Sequence, residues 1–318
     1  MSDQLIDVVI SKREDQADAV AVFELTAKDG ADLPAFEAGA HIDVHVTPDI
    51  VRQYSLSNDP ASTGHYRLGI LKDPQSRGGS DAIHANFQTG TELKISVPRN
   101  HFPLNLDAER TVLIGGGIGI TPMLTMAYTL QAAGKDFELH YCCRSRGSAG
   151  FLDELAAQFG DRVQLHFDDA GGEQRFNPEQ VLAPAADGSH MYVCGPSGFM
   201  DWVIGTAESI GYAKDNVHFE YFNVEVDTSG ASFEVVAEQS GVSVTVGENQ
   251  TIVDALAEAG IKVDVSCEQG VCGTCLCDVL EGTPEHNDKF LTEEEREDND
   301  QIVLCCSRAK TDKLVLDI

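Results

Sequence analysis

Four cysteines near the end of the chain have a spacing that specifies chemistry. They fall as Cys267-x4-Cys272-x2-Cys275, and Cys305 follows after a further 29 residues. Four thiolates spaced C-x4-C-x2-C…C are the ligand pattern of a plant-type [2Fe–2S] cluster, a one-electron carrier. Gly270 and Gly273 lie inside the run. They let a tight loop wrap the centre and turn backbone N–H groups toward its sulfurs. Zinc and disulfides are the competing chemistries. Structural zinc favours paired C-x2-C or C-x2-H units, and this run has one C-x2-C after a C-x4 step and no second pair. Disulfides belong to exported chains, and Met1-Ser2-Asp3-Gln4 shows neither the basic nor the apolar region of an export signal.

Two further segments could hold a phosphorylated cofactor. In Arg52-Gln53-Tyr54-Ser55-Leu56 a guanidinium, an aromatic ring and a hydroxyl fall close together. An Arg can clamp a phosphate and a Tyr can pack against a flavin ring. Arg77-Gly78-Gly79-Ser80 supplies a glycine step ahead of a helix, a second phosphate cradle. Either alone reads equally well as an edge strand or a loose loop. Together, upstream of a nucleotide-type domain, they point to a flavin.

Gly115-Gly116-Gly117-Ile118-Gly119-Ile120-Thr121-Pro122 joins an apolar run to a helix. Its glycines open the backbone to a pyrophosphate at the helix start. Ile120 and Pro122 set it apart from the G-x-G-x-x-G fingerprint. Cys194-Gly195-Pro196 ends a later strand, at the edge where open α/β sheets bind ligands, so Cys194 is a candidate neighbour of a nicotinamide. Arg144 and Arg146 follow another strand and could hold the adenosine ribose or a 2′-phosphate, or read equally well as a solvated loop. Asp168 and Asp169 would discourage an extra phosphate, which favours NADH over NADPH. His41 and His45 are four apart, but on a strand they stand about 13 Å apart, too far for one metal, and they read as strand surface.

These residues must be placed by folded elements. The 318 residues suit two or three domains. Residues 1–104 hold short alternating segments such as Ala40–Val46 and Tyr66–Leu71, the pattern of an antiparallel β-barrel. Residues 105–223 alternate strand and helix, which implies a parallel sheet covered on both faces. The strands fall at 111–114, 137–141, 163–167 and 191–194. Helices run from Pro122 to about Ala133, with Thr121 as N-cap and Gly134 as stop, and from Gly198 to Ser209. A polar linker covers 224–232. Residues 233–318 open with a hairpin, Phe233–Ala237 and Val242–Val246 about a Ser240-Gly241 turn. A helix at 252–259 and a closing strand at Leu314–Leu316 follow.

Composition narrows the partners. With 22 basic and 52 acidic residues the net charge is −30. That argues against nucleic acid and anionic membranes and favours partners with basic surfaces. The glycine-broken apolar stretch at 112–126 cannot span a bilayer, so a cytoplasmic protein is expected. From Phe233 to Ile318 there are 19 acidic against 6 basic residues. The run Glu293–Asp300 reads as a solvated face on the docking side of the cluster. Cys142, Cys143, Cys194, Cys277 and Cys306 remain, and most of them read as small buried hydrophobes.

In this order the pieces resemble the phthalate dioxygenase reductase family, which includes the vanillate O-demethylase reductases. The resemblance spans nearly the whole chain and rests on Arg52–Leu56, Arg77–Ser80, Gly115–Met123, Cys194–Pro196, Cys267–Cys275 and Cys305-Cys306-Ser307-Arg308. It implies FMN in the barrel, NADH in the middle domain, and a β-grasp ferredoxin domain at the end. The partner it implies is a Rieske-type oxygenase. The family places its last ligand two residues before the Ser-Arg pair, which selects Cys305 over Cys306. Cys277 departs from the pattern. Hydride donors deliver two electrons and a cluster takes one, a mismatch that a flavin resolves. A self-sufficient oxygenase would need Rieske or iron-triad ligands, and no Cys-x-His pair occurs. A redox sensor or a reductase for a cytochrome or quinone are the other readings.

Overall fold

The computed structural model describes residues 5–170, 175–183, 188–222, 227–265 and 267–318. Two compact units emerge, Met1–Phe222 and Asn223–Ile318. The expected linker at 224–232 lies partly outside the described residues, which resume at Asp227. Among the described residues no helix is long and apolar enough to cross a membrane.

The first unit opens with β1 (Leu5–Ala17), β2 (Val20–Ala27), β3 (His41–Thr47), β4 (Ile50–Ser55) and β5 (Tyr66–Leu71). Helix α1 (Gly79–Asn86) and strand β6 (Glu92–Ser96) follow. The six strands form one antiparallel sheet, ordered β4-β3-β6-β1-β2-β5. Alternation puts Val8, Ile10, Ile42, Val44, Leu68 and Ile70 on one face, around a core plugged by Ile83 of α1. An isolated bridge between Leu56 and Leu68 joins the two ends of the sheet. The Ser57 N–H reinforces it by donating to the Arg67 carbonyl at 2.9 Å. The expected barrel is thus an antiparallel sheet whose outer strands meet at this bridge.

Next come β7 (Arg110–Gly116), α2 (Ile120–Ala132), β8 (Phe137–Cys143), α3 (Leu152–Phe159) and β9 (Val163–Phe167). The unit closes with α4 (Pro178–Leu182), β10 (Ser189–Gly195), α5 (Ser197–Ser209) and β11 (Val217–Tyr221). The strands are parallel in the order β11-β10-β7-β8-β9. All seven residues of β10 are buried, as a strand covered on both faces requires. Strand β11 was absent from the sequence expectation, because Val-His-Phe-Glu-Tyr lacks the apolar run of its neighbours.

Helix α2 corrects one expectation. It begins at Ile120, two residues before Pro122, directly after a 3-10 turn at Gly117–Gly119. That turn already engages the first free N–H groups, so no side-chain cap is used. The Thr121 hydroxyl instead donates to the Ile118 carbonyl at 3.0 Å. The stop at Gly134 holds, with φ of 65° and a bond from the Lys135 N–H to the Leu130 carbonyl at 2.9 Å.

The second unit holds β12 (Phe233–Ala237), β13 (Val242–Val246), α6 (Ile252–Glu258) and β14 (Leu276–Glu281). It continues through β15 (Pro284–Glu285), α7 (Glu293–Asp298), β16 (Gln301–Val303), β17 (Arg308–Ala309) and β18 (Lys313–Leu316). Its mixed sheet runs β13-β12-β18-β14-β16, with β12 and β18 parallel, a β-grasp arrangement. The acidic run expected as a bare solvated face is the helix α7. Thr292 and Glu295 close a capping box at its start, an S/T-x-x-E signal present in the sequence.

Candidate functional site

The thiols of Cys267, Cys272, Cys275 and Cys305 converge in the second unit, each less than a tenth exposed. Hydrogen bonds from Cys272 and then Cys305 hold the Cys267 thiol far below the ordinary thiol range. Cys305 lowers Cys275 in the same way, and Cys272 and Cys305 are pushed up in exchange. Backbone also serves the sulfurs: the Gln269 N–H donates to Cys267 Sγ at 3.3 Å. The loop reaches this shape through three left-handed residues, Glu268, Gly270 and Gly273. A Cβ on Gly273 would stand 2.3 Å from the Phe290 ring, and one on Gly270 would stand 2.5 Å from Cys306 Sγ. Only glycine fits at either place.

Cys306 Sγ also lies against this loop beside Gly270 and donates to the Val303 carbonyl at 3.7 Å, but the sulfur that Cys267 and Cys275 share hydrogen bonds with is that of Cys305. Among the described residues no group of three or more His, Cys, Asp or Glu side chains is arranged for a single metal ion. Four soft thiolates shared over a larger two-iron centre fit what is there. Arg308 is 2% exposed and acts as a clamp: its Nη1 donates to the carbonyls of Thr228 and Gln250, its Nη2 to those of Ala231 and Gly247. The Ser-Arg pair after the cysteines thus fastens the described end of the expected linker to the domain.

In the first unit, Arg52 and the Arg77–Ser80 segment come together. The Arg52 Nη2 donates to the Arg77 carbonyl at 3.2 Å, and a Cβ on Gly79 would stand 2.7 Å from Arg52 Cγ. Gly78 takes φ of 86°, turning the chain into α1. A guanidinium thus lies across a glycine step at a helix start, a shape and charge suited to phosphate. Strand alternation separates the rest of the motif. Tyr54 is the register partner of Ile42 and packs on the barrel core, while Ser55 pairs with His41 on the other face. Leu56 is fully buried at the closing bridge. The Ser80 hydroxyl accepts the Asp73 N–H at 3.2 Å, which closes the loop before α1.

The glycine loop serves two purposes. A Cβ on Gly119 would lie 2.2 Å from the Cys194 carbonyl oxygen, and one on Gly116 would strike Phe199 and Pro196. These glycines let the start of α2 press onto Cys194-Gly195-Pro196. Gly117, at φ of 56°, has no atom within 4 Å of a Cβ position and leaves open backbone at the helix start. Pro122 lies buried in the first turn of α2. Cys194 is fully buried, and burial raises its thiol. Arg144 is exposed, and its carbonyl accepts the Asp169 N–H at 3.1 Å, so the arginine loop and the Asp168-Asp169 pair are neighbours. An open cleft of about 830 Å³ adjoins this edge, lined by Arg175 to Gln180 and by Trp202.

Sequence reasoning missed the acid between the two cradles. Glu220 of β11 is the register partner of Cys194. The Ser55 hydroxyl donates to its Oε2 at 3.4 Å, and His41 Nδ1 lies 3.9 Å from its Oε1. Burial raises the Glu220 carboxyl to about 8. His41 is not strand surface: it is 3% exposed, stacked on His101 at 5.3 Å, and both ring nitrogens lack hydrogen-bond partners. Burial depresses it to about 3. A protonated carboxyl and a neutral imidazole thus face one another. The Ser55–His41 face of an alternating strand was the available signal, but only the tertiary fold brings β11 to it.

Comparison with known proteins gives the family. A model of the 2Fe-2S iron-sulfur cluster binding domain matches residues 235–310. The vanillate O-demethylase oxidoreductase of Pseudomonas sp. (strain HR199 / DSM 7063) is 48% identical over 317 residues, spanning 99% of this chain and 100% of that protein. The structure of phthalate dioxygenase reductase, described as modular for electron transfer from pyridine nucleotides to [2Fe–2S], superposes with a TM-score of 0.77 at 36% identity, covering 99% and 98% of the two chains. An intact type IV self-sufficient cytochrome P450 monooxygenase gives a TM-score of 0.87 at 38% identity. There the likeness covers 99% of this chain but 41% of the other, so this chain spans less than half of that protein. The chain belongs to the family of vanillate O-demethylase oxidoreductases and phthalate dioxygenase reductase, the electron-transferring reductase components of oxygenase systems.

Proposed function

We propose that Cys267, Cys272, Cys275 and Cys305 hold a [2Fe–2S] cluster, that FMN lies against Arg52–Leu56 and Arg77–Ser80, and that NADH lies across Gly116, Gly117, Gly119, Thr121 and Pro122. On this reading residues 1–104 form the flavin domain, 105–223 the nicotinamide domain, 224–232 the linker and 233–318 the ferredoxin domain. When bound, FMN takes two electrons from NADH as a hydride and passes them on singly. The chain's own groups position and tune. Arg52 and the α1 start hold phosphate, and the start of α2 holds pyrophosphate. Arg144 flanks the adenosine end, with Asp169 beside it disfavouring a further phosphate. Gly195 and Pro196, backed by Cys194, shape the nicotinamide end, while Glu220 keeps a proton beside Ser55.

The acceptor on this reading is an oxygenase component, here taken to be of Rieske type with a basic docking face that matches the net charge of −30. Nucleic acid and membrane remain poor partners for a chain of net charge −30. A reducing cytoplasm suits nine free cysteines. The observation that carries the proposal is the convergence of four buried thiols in a loop that glycine alone can form. Anaerobically purified protein is expected to contain acid-labile sulfide and to give a rhombic EPR signal after dithionite. Cys272→Ser should abolish cytochrome c reduction while NADH still bleaches the flavin, and survival of both activities would remove the cluster assignment. The likeness to a self-sufficient P450 favours one second reading, a haem acceptor. Turnover with a P450 and none with a Rieske oxygenase would select it.

A further inference from the structure

Beneath the cysteine loop lies a buried charged group that electron transfer as described does not use. Asp288 is 2% exposed. Its Oδ2 accepts the backbone N–H groups of Phe290 at 3.0 Å and Leu291 at 2.8 Å. Arg296 of α7 turns inward to meet it: one Nη2 lies 3.5 Å from Oδ2 and donates to the Asp288 carbonyl at 2.6 Å. Asp288 Oδ1 and both ring nitrogens of His286 have no hydrogen-bond partner, and His286 Nδ1 stands 3.8 Å from Oδ1. Burial lowers His286, which leaves Arg296 as the cation facing the carboxylate.

The turn that carries Asp288 grips the cysteine loop from two sides. The Lys289 N–H donates to the Gly270 carbonyl at 2.9 Å, and Phe290 covers Gly273. A Cβ on Gly270 would stand 3.0 Å from Asp288 Cα. On the other flank, Asn287 donates to Ser307 Oγ at 3.3 Å and to the Cys306 carbonyl at 3.2 Å. The turn therefore touches the segments before and after Cys272 and the segment that carries Cys305. In α7, Glu293, Glu294, Glu295, Glu297 and Asp298 are exposed, and Arg296 alone is directed inward.

A buried ion pair contributes little net stability, because desolvation offsets the attraction, but it fixes register, and breaking one side is costly. We infer that Asp288 and Arg296 are a positioning pair that locks the acidic helix α7 to the four-thiol loop, so that the docking face and the electron-carrying centre share one geometry and one local field. The inference rests on the cluster reading. Two consequences distinguish it from plain structural support. Removing Arg296 leaves an uncompensated negative charge near the centre and should make it harder to reduce. Removing the charge of Asp288 should make it easier.

The test uses the full chain with its cluster assembled anaerobically. EPR-monitored redox titration and the rate of bleaching by an iron chelator are measured for wild type, Arg296→Met, Arg296→Lys and Asp288→Asn, with Glu294→Gln as a control. Arg296→Met should shift the reduced-to-oxidised ratio at a fixed potential about tenfold toward oxidised, and Asp288→Asn about tenfold toward reduced, equivalent to about 59 mV each way for one electron. Both should bleach severalfold faster. Arg296→Lys should recover the potential without the slow bleaching, and Glu294→Gln should match wild type. Wild type without labile sulfide or an EPR signal would sink the cluster reading itself. With that signal present, shifts of the same sign, or variants indistinguishable from wild type, overturn the inference. If Asp288→Asn does not fold, equality of Arg296→Met with wild type overturns it alone.

Discussion

At the scale of single residues, the acid at Glu220 makes the sharpest demand on solution conditions. Its carboxyl is raised from about 4.5 to about 8 because burial penalises the charged form. A group with a raised folded value keeps its full contribution below the unfolded value and loses it as pH climbs through the folded one. The native fold should therefore lose stability between about pH 4.5 and about 8 on account of this residue. His41 acts from the other side: held near 3 against an ordinary 6.5, it is neutral in the fold and costs stability as pH falls through that window. Glu220→Gln removes the alkaline half. Its melting temperature relative to wild type should rise steadily from about pH 5 to about pH 8.5. A difference that stays flat over that range would show that Glu220 is ionised in the native protein. None of this was legible from the sequence, where Glu220 is one acid among 52. The convergence of Cys267, Cys272, Cys275 and Cys305, proposed here as cluster ligands, was legible, because their spacing is local and its chemistry specific.

Among the elements, the contact between α2 and the end of β10 is the tightest made by the proposed nicotinamide site. Gly119 has ordinary α-region backbone, φ −62°, so its requirement is space and not conformation. Alanine there would drive a Cβ to 2.2 Å from the Cys194 carbonyl oxygen. The backbone of one element must yield, and overpacking of this kind costs about 1–3 kcal/mol. Gly119→Ala should lower the melting temperature and raise the KM for NADH, since the helix start that faces pyrophosphate moves with it. Unchanged KM with lowered stability would confine Gly119 to packing. Strongly patterned elements were readable: Tyr66–Leu71, Val163–Phe167, Phe233–Ala237 and Val242–Val246 fall where alternation and turns place them. The start of α2 was misread because Thr121-Pro122 imitates a cap, whereas a 3-10 turn at Gly117–Gly119 had already begun the helix. The helix α7 is masked in the sequence because a run of like charges reads as a solvated face, although Thr292 and Glu295 form a capping box at its start. Strand β11 was overlooked because a half-exposed edge strand carries no apolar run.

For the whole molecule, charge sets the terms of association. The chain carries −30, and residues 233–318 hold 19 acidic against 6 basic groups, with α7 presenting a row of exposed carboxylates. Such a field raises the encounter rate with a cationic partner and is erased by salt. The screening length falls from about 30 Å at 0.01 M to about 8 Å near 0.15 M ionic strength. Electron delivery to a basic acceptor such as cytochrome c, measured under second-order conditions, should therefore slow about tenfold over that interval. Reversing charge on α7, with Glu293→Lys and Glu294→Lys together, should flatten the dependence and lower the low-salt rate, while flavin bleaching by NADH, proposed to take place in the first unit, keeps its speed. A delivery rate that is insensitive to salt, or that climbs with it, would mean that the acceptor meets a face other than α7 and that the basic docking surface proposed for the oxygenase is wrong.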